Sequence, residues 1–214
     1  MTTQFHQWYQ ELQVERTIQA LKKNNFDARF FPKAADALEE LWKMIPEGAR
    51  VGIGGSVTLN QIGFFDGAQK RPIKLLNPFA KGLSPEETDK IRREIFSADF
   101  FICSSNALTE DGKLYNIDAT GNRVGAMIFG PKKVILICGT NKIVKDIAEA
   151  QRKVQEWVAP MNVRRLGYKA PCAQTGECSD CSSPERICNA YVILAKKPRR
   201  TDFTVLLVGE PLGL

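Results

Sequence analysis

Histidine is almost missing from this chain: His6 is the only one. A Ser-His-Asp or Cys-His mechanism would have to use it, and the residues around it read as the surface of a helix. A histidine-rich metal site is excluded. Nor is any apolar run long enough to cross a bilayer, which argues against a membrane partner. The opening Met1-Thr2-Thr3-Gln4-Phe5-His6 shows no basic-then-apolar signal pattern. The expectation is therefore a cytoplasmic protein. Two nucleotide motifs are missing too: the spaced glycines of a dinucleotide fingerprint and the lysine of a P-loop.

What is present is ordinary in amount. The 214 residues are 43% hydrophobic and 25% charged, which suits one α/β domain over residues 1–214 with a substantial core. Thirty basic and 24 acidic residues leave a formal charge of +6, which favours anionic small molecules or an acidic partner protein. The densest basic run, Lys196-Lys197-Pro198-Arg199-Arg200, has no interleaved aromatics. It reads as a solvated loop between two strands and disfavours nucleic acid as a partner.

Along the chain, apolar strand patterns alternate with helical ones. Helix is expected from about Thr3 to Asn25, over Ala35 to Met44, from Val57 to about Ile62 and from Pro85 to about Ser97. The last of these opens with Ser84-Pro85-Glu86-Glu87, a capping serine, a first-position proline and acids in the first turn. Ile143 to Val158 is expected to form one long helix. Strands are expected at 28–31, 51–53, 73–76, 99–103, 114–118 and 134–138. The alternation predicts a largely parallel sheet, Rossmann-like, covered on both faces.

In such sheets the ligand crevice lies at the carboxyl ends of the strands, and four polar or glycine-rich turns fall there. The first is Gly54-Gly55-Ser56-Val57-Thr58, where two glycines let the backbone approach a ligand and Ser56 can cap a helix. A helix N-terminus of this kind favours a carboxylate or phosphate; the same turn also suits a plain strand-to-helix connection. The others are Ser104 to Asn106, Gly121 to Arg123, and Gly139 to Lys142. The binding residues expected from these turns are Gly54, Gly55, Ser56, Thr58, Asn106, Thr109, Glu110, Gly121, Asn122, Gly139, Thr140, Asn141 and Lys142. With histidine unusable, acid–base or nucleophilic work falls to carboxylates. Glu110 is the catalytic candidate, while Asp111-Gly112 reads as turn chemistry.

The strongest chemical signal is Cys172-x5-Cys178-x2-Cys181-x6-Cys188, within a cysteine-rich segment at 171–189. Four thiolates on a short loop with Pro171, Gly176 and Pro184 suit an iron–sulfur cluster, [4Fe–4S] by density, or a structural zinc. Zinc ribbons usually carry two C-x2-C hooks, and only one is present. The other two thiols, Cys103 and Cys138, belong to apolar strands and read as buried core residues.

Together these motifs resemble the LUD domain of lactate-utilisation protein C and its relatives. The resemblance is carried by Gly52-Ile53-Gly54-Gly55-Ser56-Val57-Thr58, Ser105-Asn106-Ala107-Leu108-Thr109-Glu110-Asp111-Gly112, Asp118-Ala119-Thr120-Gly121-Asn122-Arg123, and Gly130-Pro131 through Gly139-Thr140-Asn141-Lys142. The cysteine segment resembles the tail of short members of that family. The resemblance implies a fold of the NagB/RpiA/CoA-transferase group with its ligand site at the strand ends. It also implies a link to the oxidation of lactate to pyruvate beside an iron–sulfur or oxidoreductase partner protein. Three functions stay open: a redox protein holding an iron–sulfur cluster and a small organic anion, a transferase- or isomerase-like enzyme with a structural zinc, and a non-catalytic subunit or sensor.

Overall fold

The computed structural model describes residues 2–214. In chain order the elements are α1 (Thr2–Lys23), β1 (Asp27–Phe31), α2 (Ala34–Met44), β2 (Arg50–Ile53), α3 (Val57–Gln61), α4 (Phe64–Gln69), β3 (Lys74–Leu76) and α5 (Pro85–Ile95). Then come β4 (Phe100–Cys103), β5 (Ala107–Thr109), β6 (Leu114–Asp118), α6 (Asn122–Phe129), β7 (Lys133–Gly139) and β8 (Ile143–Val144). The chain closes with α7 (Ile147–Lys153), α8 (Ala159–Leu166), the single turn α9 (Cys172–Thr175), β9 (Ala190–Leu194) and β10 (Asp202–Val208).

Six strands form an all-parallel sheet in the order β1-β10-β7-β4-β2-β3. Side chains alternate across its two faces, as the period of two requires. Val134, Leu136 and Cys138 of β7 join Val14, Ile18 and Leu21 of α1 on one face. Ile135 and Ile137 join Leu41 of α2, Leu59 of α3 and Phe64 of α4 on the other. Both faces are therefore apolar, which explains why β7 and β10 read as unbroken hydrophobic runs. A second sheet, β8-β5-β6-β9, lies beyond the strand ends of the first in sequence and pairs mostly antiparallel. Its Ala107, Tyr115 and Ile117 pack with Ala150, Val154 and Val158 of the C-terminal helical stretch.

Local signals explain most boundaries. The box at the start of α5 is complete: Ser84 accepts from the Glu87 N–H, and the Glu87 carboxylate accepts from the Ser84 N–H. One expectation fails. Ile143 and Val144 are a short strand paired with Leu108 and Thr109, not the start of a helix. The helix begins only after Asp146, whose carboxylate accepts from the Glu149 N–H. It then runs through one wider π turn at Val154–Val158 into α8. Helix α6, whose residues 124–129 are mostly apolar, opens behind Gly121 in the left-handed conformation. His6 lies exposed on α1.

Candidate functional site

The carboxyl ends of β2, β4 and β7 open into a cavity of about 320 Å³. Gly55, Ser56 and Thr58 follow β2, Ser104 to Asn106 follow β4, and Lys142 follows β7. Ile117 and Asp118 enter from β6, and Asn162 and Arg165 from α8. Gly213 and Leu214 close it from beyond β10. The sheet topology thus sets the location, because parallel strands deliver all their carboxyl-end turns to one edge.

Arg123 organises the floor. One guanidinium nitrogen donates to the Ser104 carbonyl at 2.9 Å and the Asn116 side-chain oxygen at 2.7 Å. Another donates to the Asn106 side-chain oxygen at 2.8 Å and the Ile117 carbonyl at 2.7 Å. Its Nε lies 3.8 Å from Asp118, whose carboxylate also accepts from the backbone N–H of Gly121 and Val124. A guanidinium so largely withdrawn from water needs this many acceptors to offset lost hydration. The result joins two sheets and the start of α6 through one side chain.

Lys142 lies beside it, 5% exposed. Its Nζ donates to Ser104 Oγ at 2.8 Å and to the Ser105 carbonyl at 3.1 Å. Burial disfavours the charged form and lowers its pKa to about 8. Cys138 approaches Ser104 Oγ at 3.6 Å. Cys103 is fully buried, and burial drives its thiol pKa upward. Both thiols are core residues, as their strand positions predict.

The electrostatic balance of the lining is one-sided. Arg92, Arg123, Lys142 and Arg165 face it, against the one side-chain carboxylate of Asp118, which Arg123 and two backbone donors already engage. An anionic ligand is the complement of that lining. Thr58 Oγ1 and Arg92 Nε are buried without a hydrogen-bond partner in the protein, so both retain capacity for a ligand.

Of the expected binding residues, Gly55, Ser56, Thr58, Asn106, Asn122 and Lys142 line the cavity. Gly54 lies behind it: an added Cβ would come within 2.9 Å of Cys103 and 3.2 Å of Arg123, so the glycine serves packing. Gly139 is needed where the tail crosses, since a Cβ would meet the Leu212 N–H nitrogen at 2.4 Å. Asn141 accepts from that same N–H, and Thr140 bonds Gln10 and the Gly209 carbonyl. Thr109 bonds Asp111 and Lys113 inside its own turn. Gly121 starts α6.

Glu110 requires a correction of place. It is held by Arg16 at 3.1 Å and Gln13 at 2.9 Å, both on α1, and is not among the cavity's lining residues. The reason is that α1 packs over this strand end and supplies the partners. The helix-terminus argument also weakens. Ser56 does accept from the Leu59 N–H, at 3.4 Å, but α3 is only five residues long. So few aligned peptides make little dipole, and the positive character comes from side chains instead.

Sequence reasoning missed Arg123, Ser104, Arg92 and Arg165 as lining residues. Arg123 stood inside a turn already singled out, yet its acceptors lie on two other segments, the 104–106 turn and β6. Arg92 and Arg165 sit on helices, where a surface arginine carries no distinguishing local signal.

The cysteine segment forms a neighbouring wall. Ile187, next to Cys188, lines the cavity, as does Ala119. Ile187 belongs to a small cluster with Val163 and Ala170, against which Ala119, Cys172 and Cys181 pack. All four thiols of the segment are free, and Cys178 is exposed. Burial raises the Cys172 pKa, and Cys181, Cys188 and Cys178 raise it further. The four sulfurs therefore lie within electrostatic reach of one another. Arg186 ties the loop by donating to the Cys181 and Cys188 carbonyls. Among the described residues no three Cys, His, Asp or Glu side chains stand as a ready metal cage. Four soft thiol donors on one irregular loop fit a thiolate-bound cluster or zinc by chemistry.

Comparison with known proteins adds the following. The sequence model of the LUD domain matches residues 14–208. No curated protein matches the chain. Among solved structures, a DUF162 family protein from Deinococcus radiodurans superposes with a TM-score of 0.55 at 14% identity, covering 94% of this chain and 98% of that one. That likeness is one of fold. A D-ribose-5-phosphate isomerase in complex with phospho-erythronic acid aligns over 54% of this chain and 55% of that one, at 13% identity and TM-score 0.36. The eIF2B delta of Chaetomium thermophilum aligns over 64% and 53%, also at 13% identity and TM-score 0.36.

Proposed function

This chain belongs to the LUD domain family, and from that premise we propose that it binds a small organic anion, of the lactate or pyruvate kind, in redox metabolism. In this reading Cys172, Cys178, Cys181 and Cys188 hold an iron–sulfur cluster, [4Fe–4S] by donor number. The observation that carries the reading is the cavity itself. Three arginines, Lys142 and one engaged side-chain carboxylate line a space whose wall includes Ile187, beside Cys188.

The chain's own residues have separable tasks. Arg92 and Arg165 supply charge for a carboxylate. Thr58 Oγ1 offers a hydrogen bond that no protein group uses. Arg123 holds Asn106 and the Ser104 carbonyl in place, so the floor is formed before any ligand arrives. When bound, the cluster supplies one-electron redox capacity next to that floor. Docking to an iron–sulfur or oxidoreductase partner protein follows from the same reading.

The test is iron and acid-labile sulfide analysis of anaerobically purified protein, with calorimetric titration of lactate and pyruvate. About four irons and four sulfides per chain, with saturable binding of either acid, support the reading. Zinc alone would make the cysteine loop a structural staple. Neither metal nor anion binding, after anaerobic reconstitution, would overturn it.

A further inference from the structure

Lys142 has more to offer than charge. No described carboxylate lies within ion-pair distance of it, and its two hydrogen bonds go to a hydroxyl and a carbonyl. Asp118, the one acidic side chain lining the cavity, is engaged by Arg123 and two backbone donors. A buried ammonium so placed has lost its hydration without gaining a counter-ion. With its pKa lowered to about 8, a minor fraction near neutral pH is the neutral amine. It donates its two N–H bonds to Ser104 Oγ and the Ser105 carbonyl, and keeps a lone pair.

What lies on the remaining side is informative. A Cβ added to Gly213 would sit 3.0 Å from Lys142 Nζ and 2.6 Å from Thr58 Oγ1. Glycine puts no side chain there, and its φ of +73° favours glycine at that position. Thr58 is 1% exposed and its hydroxyl is unpartnered. Lys142 Nζ and the unpartnered Thr58 hydroxyl thus both pack against the Gly213 backbone, which leaves no room for a methyl group there, and both residues line the floor of a cavity that also presents guanidinium groups.

We propose that Lys142 is a carbonyl-capturing amine that forms a reversible imine with a small 2-oxo acid in this cavity. The proposal rests on the reading of the cavity as an organic-anion site. The neutral Nζ attacks the carbonyl carbon, and the carbonyl π pair moves to oxygen. That oxygen gains a proton while nitrogen loses one, giving a carbinolamine. Loss of water then leaves C=N, so one amine and one ketone become one imine and one water. No oxidant or reductant is consumed. The Thr58 hydroxyl donates to the oxygen as its charge develops, and Ser104 Oγ, at 2.8 Å from Nζ, relays the proton leaving nitrogen. Arg92 and Arg165 remain for the carboxylate.

The test is reductive trapping of the full chain with pyruvate and sodium borohydride, read by intact mass and peptide mapping. Pyruvate binding is measured in parallel by calorimetry without borohydride. The expected result is binding, with a single adduct mapped to Lys142 and trapping that quickens as pH rises through about 8. Lys142→Met should form no adduct even at pyruvate concentrations raised to offset weakened binding, with a circular-dichroism spectrum like the parent's. Thr58→Val should bind and trap about tenfold more slowly, as for loss of one ligand hydrogen bond. If Lys142→Met does not fold, Lys142→Arg takes its place. Pyruvate that binds without an adduct, or adducts confined to other lysines, would overturn the imine and leave the anion site standing. Absence of pyruvate binding would overturn both.

Discussion

The cavity floor and the cysteine segment lie side by side and are built in opposite ways. The floor is held by a partly buried arginine with four hydrogen bonds, a buried lysine and residues from two sheets. The cysteine segment has a single helical turn, left-handed backbone at Gly176 and Asp180, and mostly exposed or half-exposed residues. Protein contacts alone organise the first. The second has too few buried contacts to organise itself, apart from a small patch around Val163, Ala170 and Ile187. The difference teaches that the cavity floor is preorganised by the protein itself, whereas in the proposed reading order in the cysteine loop is coupled to the metal its thiols would hold.

The largest effect should come from the floor. Arg123→Met leaves Asp118 and the Asn116 and Asn106 oxygens buried without their cation. It should lower unfolding free energy by about 3 kcal/mol or more, seen as an earlier urea midpoint. A floor that tolerates this change would erase the contrast. The loop should behave oppositely. Cys181→Ser should abolish iron retention in reconstitution, yet shift the urea midpoint of metal-free protein by less than about 0.5 kcal/mol.

Lys142 sharpens the comparison through pH. Below about pH 8 the lysine is protonated both in the folded and in the unfolded chain, so the full burial penalty persists. Between about 8 and the ordinary value of 10.5 only the unfolded chain carries the proton. Stability should therefore rise with pH across that window relative to Lys142→Met, measured by urea unfolding at several pH values. The smallest effect belongs to Glu110→Gln. It removes a partly exposed pair with Arg16, should cost about 1 kcal/mol or less, and should leave pyruvate affinity unchanged.

Much of this architecture is legible in the chain. Unbroken apolar runs such as 134–138 announced a two-faced parallel sheet, and Ser84 announced its helix. The turns after 53, 103 and 139 identified the strand ends that build the cavity. What escaped has a common physical cause. Arg123 takes its place through acceptors on the 104–106 turn and β6, and no local spacing encodes that convergence. Glu110 looked free because its partners, Gln13 and Arg16, are about a hundred residues away on α1. Ile143 and Val144 looked helical because the pairing with Leu108 and Thr109 that makes them a strand is likewise distant.

The most direct measurement is a pyruvate titration of anaerobically reconstituted protein, followed by its visible absorption and by calorimetry together. If anion floor and cysteine loop form one site, the iron-dependent absorption should change saturably, with the same midpoint as the heat of binding. Arg165→Ala should weaken both together. An iron-loaded protein whose spectrum stays indifferent to pyruvate, at concentrations that saturate the calorimetric signal, would contradict the account.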